Sequence, residues 1–565
     1  MSSNPTTSAA AGRTPASGAP DIYAPEKWHM KVFLLMAFAM LLLGGFFGTL
    51  QSLDKMQVDW YDYLPGPLRG LYYLGLTVHG VTLALMFTTY FIIAFLNLAL
   101  VHGLKRPLKS RALVHLSLWL SVAGLVATLV PIFLNQASVL WTFYAPLRAH
   151  PLFYTGLALL VVGTWTTALN AFATWRAWKR ENPGERTPLM AFAVLATWAM
   201  WVLASLGIAV AAVYYLWPWS MGITEAVNPL LTRSLYWFTG HPLVYFWLLP
   251  AYLSWYTMLP AQVGGRLFSE SLARLVFLLF LPLAIPTGFH HMYTDPGVHA
   301  STKLIHAVLT FAVIFPSLVT AFTVLASVEE GARRSGGKGL LTWVLALPWL
   351  SNPSAAGQLL SMIIFAMGGI TGLINATFTM NLVVHNTLWV PGHFHTQVAG
   401  AVTLTFMAIS YWFVPLLTGR ALWNRKLAVV QTWLWTFGTL IMARGMHWMG
   451  IAGVPRRTFL SRAPYANFEE WNIAGLLVGW GAVIVTAAGV LFAVIMFMTA
   501  FVSKAPANVE VPEAQPLVEA DRMPVLLDRI APWVVVTLVL IAIAWGPPLY
   551  RIAVAHPQVQ GWVLW

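Results

Sequence analysis

The sequence predicts an all-α polytopic membrane protein of about thirteen transmembrane helices, and three observations carry the prediction. Of the 565 residues, 58% are hydrophobic and only 9% charged, with a mean hydropathy of +0.70, too few charges to coat a globule of this size in water. The apolar residues gather into runs of about 20 or more, the length that crosses roughly 30 Å of hydrocarbon. Lys and Arg lie mostly in the short connections between those runs or at span ends and fall mainly on one side.

Taken in order, residues 1–26 are rich in Ser, Ala, Thr, Pro and Gly without the apolar stretch of a secretory signal, and read as a disordered tail. Spans follow at 30–51, 71–101, 112–134, 152–175, 188–217, 230–260, 272–293, 303–327, 355–379, 389–418, 427–453 and 473–503, making a twelve-helix core over 27–503. A polar linker, 504–522, leads to an additional C-terminal transmembrane helix within 523–565, its span at 524–548. Of the 32 Lys and Arg, 22 lie in the amino-terminal tail or after even-numbered spans and nine, from Lys55 to Arg551, on the other side. That bias predicts a cytoplasmic amino terminus and a periplasmic or extracellular carboxyl terminus in a bacterial cell membrane. Arg444 is left over, inside a span, where it is expected to face a subunit contact or to snorkel.

There is no cysteine, which excludes disulfides, thiolate-held clusters, covalent c-type heme attachment and any cysteine-ligated copper in this polypeptide. Redox metals, if bound, are bound by histidine. The formal charge of +13 is spread over short loops, so anionic lipid headgroups are the expected partner and nucleic acid is not.

Histidine within a span is costly without a partner, and seven of the fifteen histidines group tightly in spans or at their mouths: His79, His241, His290, His291, His385, His393 and His395. In GHPLVYF, residues 240–246, His241 and Tyr245 are one helical turn apart and share a face; this is either a donor beside a metal or a buried histidine hydrogen-bonded to a phenol. In TGFHH, residues 287–291, adjacent positions diverge by about 100°. Both rings reach one metal only if the helix is loosened, for which Pro282, Pro286 and Gly288 supply a reason. With His241 they would make a three-nitrogen site with an open position, which suits copper; the plainer alternative is two interfacial histidines beside the Asp295-Pro296-Gly297 turn. In VVHNTLWVPGHFHTQVAG, residues 383–400, His393 and His395 are about 200° apart and face opposite flanks of one helix, so that one helix can serve two hemes. If His79 opposes His395, that iron is closed and carries only electrons. If His393 stands alone, its iron is open to a small molecule.

The motifs HPLVYF, HH in span 7, HNTLWVPGHFH and VPRR at 454–457 resemble subunit I of the heme-copper oxygen reductases over essentially the whole chain, and most closely the B-type, ba(3)-type cytochrome c oxidases. The resemblance implies that His79 and His395 ligate a low-spin heme (b-type) and His393 a high-spin heme (a-type), while His241, His290 and His291 hold one copper ion, Cu-B. Tyr245 would be crosslinked to His241 and supply a proton and an electron during reduction of O2 to water. Arg456 and Arg457 would pair with heme propionates, with His385 and Asn381 nearby. A single proton path would rise past Tyr256, Tyr252, Thr320 and Ser317 to Tyr245, coupled to pumping. Leu243 stands where A-type relatives commonly have glutamate, so their second channel is missing. Asn381 departs from the B-type pattern, which has aspartate there. His447, His306 and His102 have no partner spacing and read as structural.

The implied partners are a subunit II carrying the dinuclear copper centre that a cysteine-free chain cannot hold, a small third subunit, and cytochrome c as electron donor. A nitric oxide reductase or quinol oxidase of the same superfamily is the alternative; Tyr245 favours oxygen over nitric oxide. A heme-free secondary transporter, or a non-catalytic heme scaffold, would be told apart by the visible spectrum and by copper content.

Overall fold

The computed structural model describes residues 21–518 and 523–563. Residues 1–20 of the expected tail, with Arg13, lie outside the described residues, as do 519–522 of the linker, with Arg522. The chain is helical over α1 (Lys27–Lys55), α2 (Tyr72–Leu104), α3 (Arg111–Phe133), α4 (Pro151–Glu181), α5 (Leu189–Ser220), α6 (Pro229–Thr257) and α7 (Glu270–Ala284). It continues through α8 (Ala300–Arg334), α9 (Pro353–Ala376), α10 (Trp389–Thr418), α11 (Arg425–Ile451), α12 (Phe468–Phe501) and α13 (Ala531–Ala555). Among the described residues eleven helical runs are long and apolar enough to cross a membrane, α7 counting with the turn that continues it. The other two predicted spans, 230–260 and 427–453, coincide with α6 and α11. These are 29 and 27 residues long, but carry polar side chains such as Thr239 and His241, or Arg444 and His447.

Local chemistry sets the helix starts. Asn228, Asn352 and Ser269 accept a backbone N–H of the first turn through their side chains, and Pro229 and Pro353 follow two of them at a position where a missing N–H costs nothing. Gly419, at φ 67°, ends α10 in the left-handed region. The helices alternate in direction, because loops following odd-numbered helices meet on one face and loops following even-numbered helices on the other. Leu147 pairs with Trp562, Val227 with Val559 and Thr387 with Pro455, whereas Leu267 pairs with Pro516. The face where α1 begins is called the first face below, and its opposite the second.

The end of the expected tail and the polar linker are both tied to the helices. Residues 21–26 were assigned by composition to the tail, but they form a turn in which Tyr23 Oη meets His102 Nδ1 at 2.5 Å. The linker crosses the first face as a strap: Ala507 N donates to Gly419 O (2.9 Å), Ala514 N to Thr257 O (2.7 Å) and Leu517 N to Leu267 O (2.7 Å). Glu513 on this strap accepts from His102 Nε2 at 3.0 Å. Arg274, 1% exposed, then holds the approach to α13, donating to Glu270 and to Asp528 (2.8 Å).

The interior is formed by α2 and α10, the helices most completely enclosed by the others. Each carries a π-helical stretch, Val81–Phe87 and His395–Thr403, the wide turn that frequently marks a functional position.

Candidate metal centres

His79 and His395 face each other from α2 and α10. Their ring centroids are 6.0 Å apart and their planes 9° from parallel, which leaves room between the rings for one iron with two metal–nitrogen bonds of about 2 Å. Each ring is oriented by its far nitrogen. His79 Nδ1 donates to Gly44 O (2.9 Å) and His395 Nδ1 to Pro391 O (2.7 Å), so both Nε2 lone pairs are free to ligate. A cavity of about 380 Å³ opens around the pair, lined in part by Gly48, Leu83, Phe394, Val398, Arg456 and Arg457. Gly48 is required by close approach, since a Cβ there would lie 2.5 Å from His79 Nδ1.

His393 faces the other flank of α10, toward α9, where Gly368 O (3.1 Å) and Thr371 Oγ1 (3.0 Å) share its Nδ1. Gly372 again leaves no room for a side chain, with a Cβ there 2.8 Å from the His393 ring.

The third group comes from α6 and the chain beyond α7. The helix stops at Ala284, and His290 and His291 sit on a separate 3₁₀ turn, Phe289–Met292. The proline-rich stretch therefore breaks the helix outright instead of loosening it, and the 100° divergence no longer applies. Ring centroids lie 4.5 Å apart for His241 and His290, 5.8 Å for His241 and His291, and 4.1 Å for His290 and His291. One nitrogen from each falls within 4.8 Å of the others. His241 Nε2 and His291 Nε2 are buried without a hydrogen-bond partner, a costly state for a protein interior that a metal ion relieves. Nitrogen-only donors in a three-membered set suit copper, so these residues fit the metal that the family resemblance implies. His291 also stacks on Trp237 at 3.8 Å. Tyr245 lies with its ring 5.0 Å from that of His241. Toward the first face, Tyr252 Oη donates to Ser317 Oγ (3.2 Å) and Tyr256 Oη to Thr320 Oγ1 (2.8 Å).

Above the sites, at the second face, Arg456 Nε donates to Asn386 Oδ1 (3.0 Å) and Arg457 to Thr142 Oγ1 (3.0 Å). Among the described residues neither forms an ion pair. Burial, then the neighbouring Arg457, pushes Arg456 below the usual guanidinium range. Two adjacent cations without a carboxylate partner are a cradle for anionic groups such as propionates. His385 Nδ1 donates to Asn381 Oδ1 (3.1 Å), whose amide donates to Asn375 O, and His385 Nε2 is left without a partner. Arg444 is exposed and lies over Trp448 at 5.5 Å, a surface cation–π pair one turn apart.

Sequence reasoning missed several parts. Lys55 lines the His79–His395 cavity and donates to Asp54 (2.7 Å), Tyr72 Oη (3.0 Å) and Thr458 O (2.6 Å). Asp54 in turn accepts from Leu460 N and Ser461 N. This buried pair anchors the loop that carries Arg456 and Arg457. Arg233, near the start of α6, pairs with Asp295 (3.1 Å) in the loop after α7, and Tyr144 lies under both Arg233 and Arg457. The only signal in the sequence was a charge at the mouth of a span.

Helices enclosing a facing histidine pair, a single histidine on the opposite flank and a nitrogen trio define a polytopic protein built to hold hemes and copper. Residues 29–484 match the family profile of the cytochrome c and quinol oxidase polypeptide I, and the chain belongs to that family. It is 43% identical over 553 residues to the cytochrome c oxidase subunit 1 of Thermus thermophilus, covering 96% of this chain and 97% of that protein. It is 27% identical over 504 residues to the subunit 1 of Bacillus sp. PS3, covering 85% and 77%. A heme-copper terminal oxidase dimer solved by cryo-electron microscopy superposes with a TM-score of 0.90 at 33% identity, over 95% of each chain.

Proposed function

We propose that this chain is subunit I of a B-type cytochrome c oxidase, a terminal respiratory oxidase that reduces O2 to water and couples the reaction to proton uptake and pumping. The observation that carries the reading is the convergence of His241, His290 and His291 with Tyr245 one turn away. His79 and His395 would hold a low-spin heme b, His393 a high-spin a-type heme, and the trio Cu-B. When bound, these groups accept electrons and bind and reduce oxygen.

The residues of the chain do the rest. His79, His395 and His393 present Nε2 because their Nδ1 protons are engaged by backbone carbonyls. Arg456 and Arg457 neutralise propionates, with His385 and Asn381 beside them. Tyr245 Oη gives up a proton and an electron to the oxygen being reduced. Tyr256 with Thr320, then Tyr252 with Ser317, pass protons inward from the first face, the cytoplasmic one. The cysteine-free chain leaves the dinuclear copper centre to subunit II, which meets cytochrome c on the periplasmic side. A small third subunit and membrane lipids complete the surroundings.

The test is Tyr245→Phe in the purified oxidase. Oxygen uptake from reduced cytochrome c is expected to fall by two or more orders of magnitude while both heme spectra persist. Undiminished uptake removes Tyr245 from the mechanism. Turnover with quinol and none with cytochrome c reassigns the donor.

A further inference from the structure

His306 lies on α8, fully buried. Between the end of α7 at Ala284 and the 3₁₀ turn at Phe289 the chain keeps one backbone bond, Thr287 N to Ala284 O at 3.4 Å, and leaves the N–H groups of Gly288 and Phe289 to seek an acceptor elsewhere. Both point at His306 Nδ1, at 3.1 and 3.4 Å. An imidazole nitrogen that accepts two N–H groups carries no proton, so the proton is on Nε2. His306 Nε2 donates to Ala544 O in α13 at 3.1 Å. That carbonyl is available because the residue four positions on is Pro548, which has no N–H to give it.

A second path joins the same residues. His290 Nδ1 meets Thr310 Oγ1 at 2.9 Å, and that hydroxyl donates to His306 O at 2.5 Å, which fixes the proton of His290 on Nδ1 and leaves Nε2 free to ligate. Trp545, next to Ala544, donates from Nε1 to Ile285 O at 3.2 Å and packs against Phe289 and His306. Gly288 fits between because a Cβ there would meet Trp237 O at 2.6 Å and Trp545 at 2.7 Å.

We propose that His306 is a positioning residue for the copper site, and that α13, through Ala544 and Trp545, is part of the frame that holds His290 and His291. The helix that reads in sequence as an appendage is thus a structural element of the metal centre. The inference rests on the reading that His241, His290 and His291 bind copper. It makes the freed carbonyl before Pro548 and the stranded N–H groups after Pro286 two ends of one bridge.

The experiment is copper and heme-iron quantification, with visible spectra, on the purified oxidase carrying His306→Leu, His306→Gln or Trp545→Phe. Leucine removes all three hydrogen bonds, while glutamine offers an acceptor and a donor in their place. Loss of such an outer-shell partner weakens metal affinity by about 10–100-fold, so H306L is expected to lose more than half its copper per heme iron while both heme bands persist. H306Q is expected to recover most of it, which a purely volumetric role would not produce. Full copper in H306L, or equal loss in H306L and H306Q, overturns the proposal. If H306L does not assemble with heme, W545F decides: reduced copper supports the frame and full copper refutes it. A wild-type enzyme with hemes and no copper would overturn the metal assignment itself, independently of His306.

Discussion

Gly48→Ala is expected to disrupt the proposed low-spin heme site at His79 and His395 with a single methyl group. The added Cβ would lie 2.5 Å from His79 Nδ1 and 2.6 Å from Cε1, where ordinary contact begins at 3.4 Å, an overlap of 0.9 Å. His79 has nowhere to go: Nδ1 is bound to Gly44 O at 2.9 Å, and the ring opposes His395 at 6.0 Å. Moving it breaks that hydrogen bond, worth about 1 kcal/mol, and tilts Nε2 off the axis of the iron, for which outer-shell losses cost about 10–100-fold in affinity. Gly45 is the internal control, since a Cβ there meets nothing within 4 Å. Alanine at that position replaces a helix-interior glycine and is expected to be neutral, or stabilising by up to about 1 kcal/mol. The assay is the reduced-minus-oxidised visible spectrum with potentiometric titration. G48A should lose or shift the low-spin α band while the high-spin heme remains, and G45A should match the wild type. A G48A enzyme with an unchanged low-spin band and midpoint potential refutes the argument that close approach at Gly48 seats the ligand.

Two further outcomes follow from buried charge near the helix ends. Lys55→Met strands the Asp54 carboxylate among backbone N–H groups, and breaking a buried pair from one side costs about 3–5 kcal/mol; thermal denaturation should show a large loss that the double variant D54N/K55M partly restores, and a double variant whose loss equals the sum of the two single losses would show the pair is not coupled. Burial raises Glu26, at the start of α1, to about 7, with Arg111 acting in the opposite sense. A carboxyl whose folded value is raised opposes folding increasingly as pH climbs from about 4 to 7 and levels off above, at most about 3 kcal/mol, so E26Q should gain melting temperature at pH 8 and little at pH 4.5, and a gain independent of pH would exclude the carboxyl as its source.

What could be read from the sequence divides along a physical line. The spans were legible because crossing a bilayer demands long apolar runs, and the ligand-bearing helices because a histidine in such a run is expensive and therefore informative. The two-residue spacing of His393 and His395 carried its geometry by itself, as helical angle is a property of local sequence. The break after Ala284 was only half legible: Pro282, Pro286 and Gly288 signalled a disturbance but not that the chain would leave the helix for a separate 3₁₀ turn. The acceptor that makes this break tolerable, His306 Nδ1, comes from another helix. The packing of residues 21–26 and the course of the linker were not legible in composition, since their order comes from hydrogen bonds to partners distant in the chain, such as Tyr23 with His102 and Ala514 with Thr257. Lys55 was counted only as one of nine charges on the second face, although its position beside the cavity is fixed by Thr458 and Tyr72.

The same division explains why α13 looked dispensable. Its own sequence shows an apolar run with two prolines near the end, which by propensity alone is a poor helix. Pro548 acquires a meaning only when His306 is placed opposite the carbonyl it frees, 238 residues earlier in the chain. A proline in a membrane helix removes a hydrogen bond that lipid cannot replace, so the freed carbonyl needs a protein donor; here the donor also accepts the backbone N–H groups that lead into His290 and His291. A helix break in one segment and a missing N–H in another are each destabilising alone. Joined through one imidazole they satisfy each other, and the turn that carries His290 and His291 acquires a rigid support that neither segment encodes by itself.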